Sequence, residues 1–434
     1  IGNIDVDVVT DALAQSTTAA NNVAVGALAL YANTTGTRNT ALGAYALDTA
    51  TTGNDNVALG YASMDGNTTG SSNTAVGKSA LTGNTTASNN TAVGYHALLA
   101  NTLGSSNTAV GTNSSLNNTT GSNNSSFGVG ALYNTTSADG NTGIGKDALY
   151  YNTTGASNTA VGDSALETNS TGVSNTAVGL NWGFGMTTGS NNSFVGKSAG
   201  AGTTTGGFNV AMGESAFVAN TTGAENVAIG AYALGRNTTA DRNTALGRGC
   251  FDNITTGGNN VGIGWHAGDA AASNAGVCFI GYNSGQQSTS AHQQVAIGFE
   301  CTAYNVDGNI VIGGSTYGAS SSVRYITLGY GSDRTYIQPG GSSWTGTSDS
   351  RLKENITDHT LGLNFINDLR PVTYNWKKEK DVDNSLTYYK EGSNKRVNQD
   401  TETADLKHGF IAQEVKSVLD SNSLDSNSFN LWME

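Results

Sequence analysis

The stretch Asn56-Val57-Ala58-Leu59-Gly60 is one copy of a unit that returns every 17 residues. The glycine that ends this unit stands at Gly26 and then at a strict interval of 17 residues up to Gly298, after which the register slips. A fixed period this short is typical of a solenoid, in which each repeat forms one coil. The repeat is therefore the feature that decides the fold.

Each unit contains one apolar run, a short apolar pair such as Ala46-Leu47, and a polar turn such as Asn67-Thr68-Thr69-Gly70. Apolar runs bounded by Asn and Gly, with no sustained helical period, indicate short strands. Stacked coils would rise about 4.8 Å each, so the 17 units predict a rod of roughly 77 Å. We predict an all-β fold with a parallel β-solenoid (β-roll) at residues 22–300. A lead-in at 1–21 would precede it, and a neck of degenerate repeats at 301–347 would follow it.

The Asn and Gly columns predict tight corners, because both residues tolerate left-handed backbone angles. We expect the Asn and Thr columns to form side-chain ladders and turn hydrogen bonds. The residue in the middle of the apolar run is Ala in 12 of 17 units, as at Ala24, Ala41 and Ala58. A repeated small residue on a strand marks the close approach of another backbone, so we expect several parallel rolls to pack around an axis.

The repeat units resemble the left-handed parallel β-roll heads of trimeric autotransporter adhesins, and also repeats in phage tail fibres. This resemblance covers roughly residues 22–298. It implies that the chain forms a homotrimer, a number that the spacing by itself does not give.

Composition excludes several classes of function. Only 12% of the residues are charged and the net charge is −13, which disfavours nucleic acid and anionic membranes as partners. No window approaches 18 consecutive apolar residues, so we predict no membrane insertion. The chain begins at Ile1, and we expect that it is not a complete reading frame.

No cofactor or metal site is predicted. His96 and His266 share a column but are ten coils apart, and neither has a His or Cys neighbour at ligand spacing. Cys250 and Cys301 share a column three coils apart, about 14 Å at the strand spacing, which is too far for a disulfide within one chain. We expect all three cysteines to act as small buried hydrophobes.

The composition of the sequence changes at residue 348, where a segment with charged residues of both signs follows the repeats. The following segments are Ser348-Asp349, Arg351-Leu352-Lys353, Leu369-Arg370-Pro371-Val372 and Gly409-Phe410-Ile411-Ala412-Gln413-Glu414-Val415. We predict a helix at 361–369, a strand at 372–376, and a strand leading into an amphipathic helix at 408–419. These segments resemble the C-terminal intramolecular chaperone domain of endosialidase-type phage tail spikes. The resemblance implies a small α+β chaperone domain at 348–434, whose usual long trimerising helix is missing up to Glu434.

The resemblance also implies self-cleavage, with Ser348 attacking an adjoining backbone carbonyl and Lys353 as the general base. Elementary chemistry supports this pairing, because a Ser hydroxyl needs a base and a desolvated Lys can serve as one. The alternative is that Ser348 caps a turn and Lys353 is a solvated charge. A serine/lysine autoprotease is the most that we predict as an enzyme.

Two functions compete at this point. The first is a structural host-recognition fibre in a virion tail, with other tail proteins and a host cell-surface glycan or protein receptor as partners. The alternative is an adhesin or filament protein on a bacterial cell surface that uses the same chaperone. A polysaccharide-degrading enzyme is a weaker third interpretation, because no paired catalytic carboxylates are visible.

The residue directly after the repeat glycine varies in charge, as an outward-facing position allows. Its last members in the regular repeat are three consecutive aromatics, Trp265, Tyr282 and Phe299. Such a row would stack about 5 Å apart on one face, and exposed aromatics often mark binding. We predict either a receptor contact that stacks against sugar rings or a row buried against the neck or a neighbouring chain.

Overall fold

A computed structural model describes residues 6–7, 11–180, 185–318, 324–337, 367–384, 389–397 and 406–421. The chain divides into two compact units, residues 1–347 and residues 348–434. Each unit is described by itself.

The first unit is a ladder of short strands, each paired in parallel with the strand one coil further along the chain. The register is 17 residues, as in Thr74↔Thr91 and Ala75↔Ala92. The strands are β1 (Val6–Asp7), β2 (Val23–Val25), β3 (Thr40–Leu42), β4 (Val57–Leu59), β5 (Thr74–Val76), β6 (Thr91–Val93), β7 (Thr108–Val110), β8 (Ser125–Phe127), β9 (Thr142–Ile144), β10 (Thr159–Val161), β11 (Thr176–Val178), β12 (Ser193–Val195), β13 (Val210–Met212), β14 (Val227–Ile229), β15 (Thr244–Leu246), β16 (Val261–Ile263), β17 (Cys278–Ile280), β18 (Val295–Ile297), β19 (Ile310–Gly314), β20 (Ile326–Tyr330) and β21 (Asp333–Ile337). The predicted parallel β-solenoid is confirmed.

The ladder extends beyond the strict repeat at both ends. Strand β1 pairs with β2 through Val6↔Val23, so coiling begins before residue 22. At the other end Val295 pairs with Ile310, and Ile310 pairs with Ile326, so shorter coils continue the stack. Strand β21 then folds back antiparallel on β20.

The repeat glycine is required by both backbone angle and space. We number the positions of a coil from 1 to 17, so that Asn39 is at position 1 and Gly43 at position 5. Gly43 has a φ of +136°, and a Cβ there would lie 2.6 Å from the carbonyl oxygen of Gly60 in the next coil. No side chain fits between stacked backbones at that distance, which explains the unbroken glycine period.

The interior of each coil is built from small and medium apolar residues. Ala75 at position 3, Ala80 at position 8 and Leu81 at position 9 are all fully buried. Burying a leucine side chain contributes about 1.5–3 kcal/mol, so the stacked position-9 leucines are a principal source of stability. The expectation that the Ala column faces another chain was wrong, because the column lies inside its own coil.

Core volume is conserved by paired exchanges between positions 3 and 9. Where Phe194 replaces the usual Ala at position 3, Gly200 replaces the usual Leu at position 9, and a Cβ on Gly200 would lie 2.6 Å from the Phe194 ring. The same exchange joins Phe279 and Gly285, with a corresponding distance of 2.5 Å. The coil interior therefore has room for one large side chain.

The asparagines at position 1 form a buried ladder along the unit. Asn90 is fully buried; its Nδ2 donates to the carbonyl of Gly104 at 2.9 Å, and its Oδ1 accepts from the backbone N–H of Asn107 at 2.9 Å. The predicted ladder is confirmed, but the proposed backbone reason was wrong. The left-handed residue is the one before the asparagine, such as Asn89 with a φ of +64°.

A cluster of three hydrogen-bonded polar side chains interrupts the apolar core between β7 and β9. Ser114, Ser115 and Ser126, here called the serine cluster, are buried where other coils have Ala, Leu and Ala. The Ser126 hydroxyl lies 2.7 Å from that of Ser114 and 2.8 Å from that of Ser115. One continuous apolar cluster ends at Ala109 and the next begins at Leu132, so the serine cluster separates two cores.

The second unit contains short elements. Strands β22 (Val372–Tyr374) and β23 (Lys407–Gly409) form an antiparallel pair, with a 3₁₀ turn at Glu379–Asp381 between them in sequence. Helix α1 spans Ala412–Ser421 and follows β23 directly. This agrees with the predicted strand and strand-to-helix segments. The helix predicted at 361–369 lies largely outside the described residues.

Candidate functional site

The strands of the solenoid present an apolar face outward. Each of the three-residue strands has its middle residue buried and its flanking residues half-buried or exposed, as in β15, where Ala245 is buried and Leu246 is exposed. We call the position-4 column, from β2 to β20, the aliphatic ridge. It consists of Val25, Leu42, Leu59, Val76, Val93, Val110, Phe127, Ile144, Val161, Val178, Val195, Met212, Ile229, Leu246, Ile263, Ile280, Ile297, Ile312 and Leu328.

No residue of the aliphatic ridge is charged, and neither is any member of the neighbouring position-2 column in β2–β20. The aliphatic ridge is apolar throughout, whereas the position-2 column mixes Val, Ile and Cys with Thr and Ser. A long exposed apolar row such as the ridge marks an interaction site. The sequence analysis missed it because it assigned the contact to the Ala column. The signal was present, however, as a column from which charge is excluded along the whole solenoid.

The position-6 column, directly after the repeat glycine, has the opposite character. It carries Lys146, Asp163, Lys197, Glu214 and Arg248, all in coils of the same solenoid. Lys197 Nζ lies 3.4 Å from a carboxylate oxygen of Glu214 one coil further on, and both side chains are exposed. This column therefore belongs to a solvated face.

The same column ends in the three predicted aromatics, here called the aromatic ladder. The ring centroids of Trp265 and Tyr282 are 4.8 Å apart at 22°, and those of Tyr282 and Phe299 are 5.1 Å apart at 10°. Within the chain the three residues are 41%, 37% and 53% exposed. The predicted stacking is confirmed. Because neighbouring rings cover each other's faces, the ladder presents mainly ring edges to its surroundings.

A second stacked pair occurs elsewhere in the solenoid. Tyr133 and Tyr150, at position 10, have ring centroids 4.8 Å apart at 16°. Stacking is thus a general consequence of placing aromatics in one column, and it does not by itself identify a binding site.

In the second unit, two sequence segments that are far apart in the chain come together. Val372 pairs with Gly409 across β22 and β23, and Arg370 forms a bidentate ion pair with Glu414 in α1. The Nε–Oε2 distance is 3.1 Å, and the hydrogen bonds from Arg370 hold the pKa of Glu414 below its ordinary value. The sequence analysis singled out both segments but did not foresee this ion pair.

The second unit also exposes apolar side chains in the segment just before α1. Leu406, Phe410 and Ile411 are exposed, and the last two belong to the segment that precedes and enters α1. By contrast, Leu419 near the end of α1 is buried.

The predicted catalytic residues, Ser348 and Lys353, lie outside the described residues. The boundary between the two compact units nevertheless falls between Thr347 and Ser348. A bond cut beside Ser348 would thus separate the units.

The cysteines are free thiols. Cys250 and Cys301 are buried, and burial raises the pKa of Cys250 to about 12. Cys278 differs from the prediction, since it is only half-buried at the outward position 2 of β17. Among the described residues, no cluster of His, Cys, Asp or Glu is arranged to hold a metal, and no helix is long and apolar enough to cross a membrane.

Comparison with known families gives one match. Residues 348–424 match the family described as chaperone of endosialidase. Neither the curated proteins nor the solved structures gave a match. The matched segment begins at the boundary between the compact units and contains the Arg370–Glu414 pair. The chain therefore carries a chaperone of endosialidase domain at its C-terminal end, following a parallel β-solenoid.

Proposed function

We propose that this chain is a structural host-recognition fibre of a virus, assembled as a homotrimer with the help of its C-terminal chaperone domain. A β-solenoid shaft followed by a chaperone of endosialidase domain fits a phage tail fibre or tail spike. The observation that carries the assembly is the uncharged outward face of β2–β20, which one chain leaves in water.

The size of this face suits a stable interface. It contributes two outward residues from each of 19 strands. A standard protein–protein interface uses about 20–30 residues on each side. Burying the aliphatic ridge would remove apolar area from water at about 25 cal/mol per Å², and no charge would have to be desolvated.

The periodicity of the ridge favours a parallel copy of the same chain as its partner. Ridge residues recur once per coil, at the strand spacing of about 4.8 Å. Another copy of this solenoid has the same spacing over the same length, so its side chains can interdigitate along the whole shaft. Three copies packed around one axis would each bury their ridge.

The same periodicity creates an assembly problem that a chaperone would solve. Identical coils allow chains to pair out of register by whole multiples of 17 residues, and pairing between separate chains is slow. A C-terminal domain that associates first would align the chains and raise their local concentration. Self-cleavage by Ser348 and Lys353 would then remove the domain and make assembly kinetically irreversible.

A pair of charge substitutions tests the assembly. Val161→Lys with Val178→Lys places two charges on the ridge, whereas Asp163→Lys changes the charge of the solvated position-6 column in the same coil as Val161. Light scattering coupled to size exclusion should give three chains for the unmodified protein and for Asp163→Lys. The ridge variant should yield smaller species, because buried unpaired charges are strongly destabilising. An intact trimer in the ridge variant would show that the ridge is not the interface.

A further inference from the structure

The aromatic ladder is continuous with a polar network on the adjoining corner of the coil. The Trp265 and His266 rings are 4.4 Å apart at 81°, and His266 Nδ1 lies 3.2 Å from Asp269 Oδ2. Asn253 Nδ2 donates to Asp269 Oδ1 at 3.2 Å, and Arg236 donates to Asn253 Oδ1 at 2.6 Å. The Tyr133–Tyr150 pair adjoins a similar amide chain, since Asn117 Nδ2 donates to Asn134 Oδ1 at 3.0 Å and Asn134 Nδ2 donates to the carbonyl oxygen of Tyr150 at 3.1 Å. The aromatic ladder is distinguished by the His266–Asp269 pair, which has no counterpart beside those tyrosines in the described coils.

The place of His266 in this network depends on a glycine in the neighbouring coil. Gly249 occupies the same position one coil earlier, and a Cβ there would lie 2.9 Å from the His266 ring. Any other residue at 249 would displace the imidazole. The site therefore depends on residues from three successive coils.

The aromatic ladder and its polar network, together called the patch, stay in solvent if the chains pack through the aliphatic ridge. Its column carries charged residues in the coils before it, including Lys197, Glu214 and Arg248, and burying them between chains would be costly. The ladder is the C-terminal continuation of that solvated column. This step rests on the proposed function.

The patch combines apolar ring edges with hydrogen-bond donors and acceptors. Ring edges supply apolar contact. The indole N–H of Trp265 and the hydroxyl of Tyr282 have no hydrogen-bond partner within the described parts of the chain. His266 and Asp269 in one coil, with Asn253 in the coil before it, add donors and acceptors. A ligand that alternates C–H surface with closely spaced hydroxyls satisfies both kinds of contact.

We propose that the aromatic ladder and the His266–Asp269 pair form a saccharide-binding site for a polysaccharide of the host cell surface. The ladder spans three coils along the solenoid, so a sugar chain would lie along its axis. Ring edges would contact the sugar C–H groups, while the polar side chains would bond its hydroxyls.

The probe is an array of immobilised bacterial lipopolysaccharides and capsular polysaccharides, incubated with the assembled protein. Replacing all three ladder residues by Ala should lower the binding signal at least tenfold, and Asp269→Asn should lower it several-fold. The matched control is Tyr133→Ala with Tyr150→Ala, which removes an equally stacked pair that has no His–carboxylate pair beside it and should leave binding unchanged. Size-exclusion mass and melting temperature of each variant confirm that assembly is retained.

Two results would overturn the site. Undiminished binding by the ladder variant would show that the sugar binds elsewhere. Absence of binding to every arrayed polysaccharide, with attachment to cells abolished when the cells are treated with protease, would identify a protein receptor. Failure of the proposed assembly is a separate result, because it would be detected as a mass other than that of three chains for the unmodified protein.

Discussion

Removal of one asparagine from the position-1 ladder provides a quantitative test of what stabilises the solenoid. In Asn90→Ala, the backbone N–H of Asn107 loses its acceptor and stays buried. The carbonyl of Gly104 loses one donor but keeps Asn101 Nδ2 at 2.9 Å. An orphaned buried N–H costs about 1–3 kcal/mol, and the second lost hydrogen bond costs about 1 kcal/mol. We expect a loss of roughly 2–4 kcal/mol in the free energy of unfolding.

Denaturant titration measures this loss, and native-state hydrogen exchange locates it at the Asn107 amide. The matched control is Thr69→Ala at the exposed position 14, where a change within about 0.5 kcal/mol is expected. Asn90→Asp separates the causes, since a protonated carboxyl can restore both hydrogen bonds in acid, while a buried carboxylate cannot donate at neutral pH. If Asn90→Ala cost no more than Thr69→Ala, the ladder would not be a source of stability.

Three further predictions follow from other features of the chain. We expect the unmodified solenoid to melt in two calorimetric transitions, one for each apolar core. Replacing the serine cluster by Ala, Leu and Ala in chain order should join the cores and merge these transitions into one, and two persisting transitions would contradict this. Burial, and to a smaller extent the Asp48 carboxylate, raise the pKa of Asp65. Ionised Asp65 therefore lowers the free energy of unfolding at pH 7, and this loss is recovered as the pH falls towards about 4, the ordinary pKa of an aspartate. Asp65→Asn should therefore melt at a higher temperature than the unmodified protein at pH 7. The difference between the two melting temperatures should become smaller in acid, and a difference that does not change with pH would refute this. We expect the unmodified protein to give two bands on a denaturing gel, and Ser348→Ala and Lys353→Ala to give one band each. Cleavage in either variant would exclude the dyad.

The candidate sites were predictable to different degrees. The aromatic ladder followed directly from the period, because residues 17 apart in a solenoid must stack. The His266–Asp269 pair and the Arg370–Glu414 pair did not follow, since each depends on how side chains cross a corner or join segments 44 residues apart. Gly249 was the available signal for the first pair, as a residue too small for its column.

The sequence by itself determined the parallel coil and its register within the chain, because a strict 17-residue period places identical positions of successive coils beside one another. It also determined where glycine is obligatory. The tertiary structure decided which side of each strand faces inward, against the expectation that the Ala column faces another chain. The reason is volume: Leu81 at position 9 already fills the coil, so only a methyl group fits at position 3. The Phe194–Gly200 exchange follows the same rule, and the excluded Val and Leu side chains form the surface through which we propose the chains assemble.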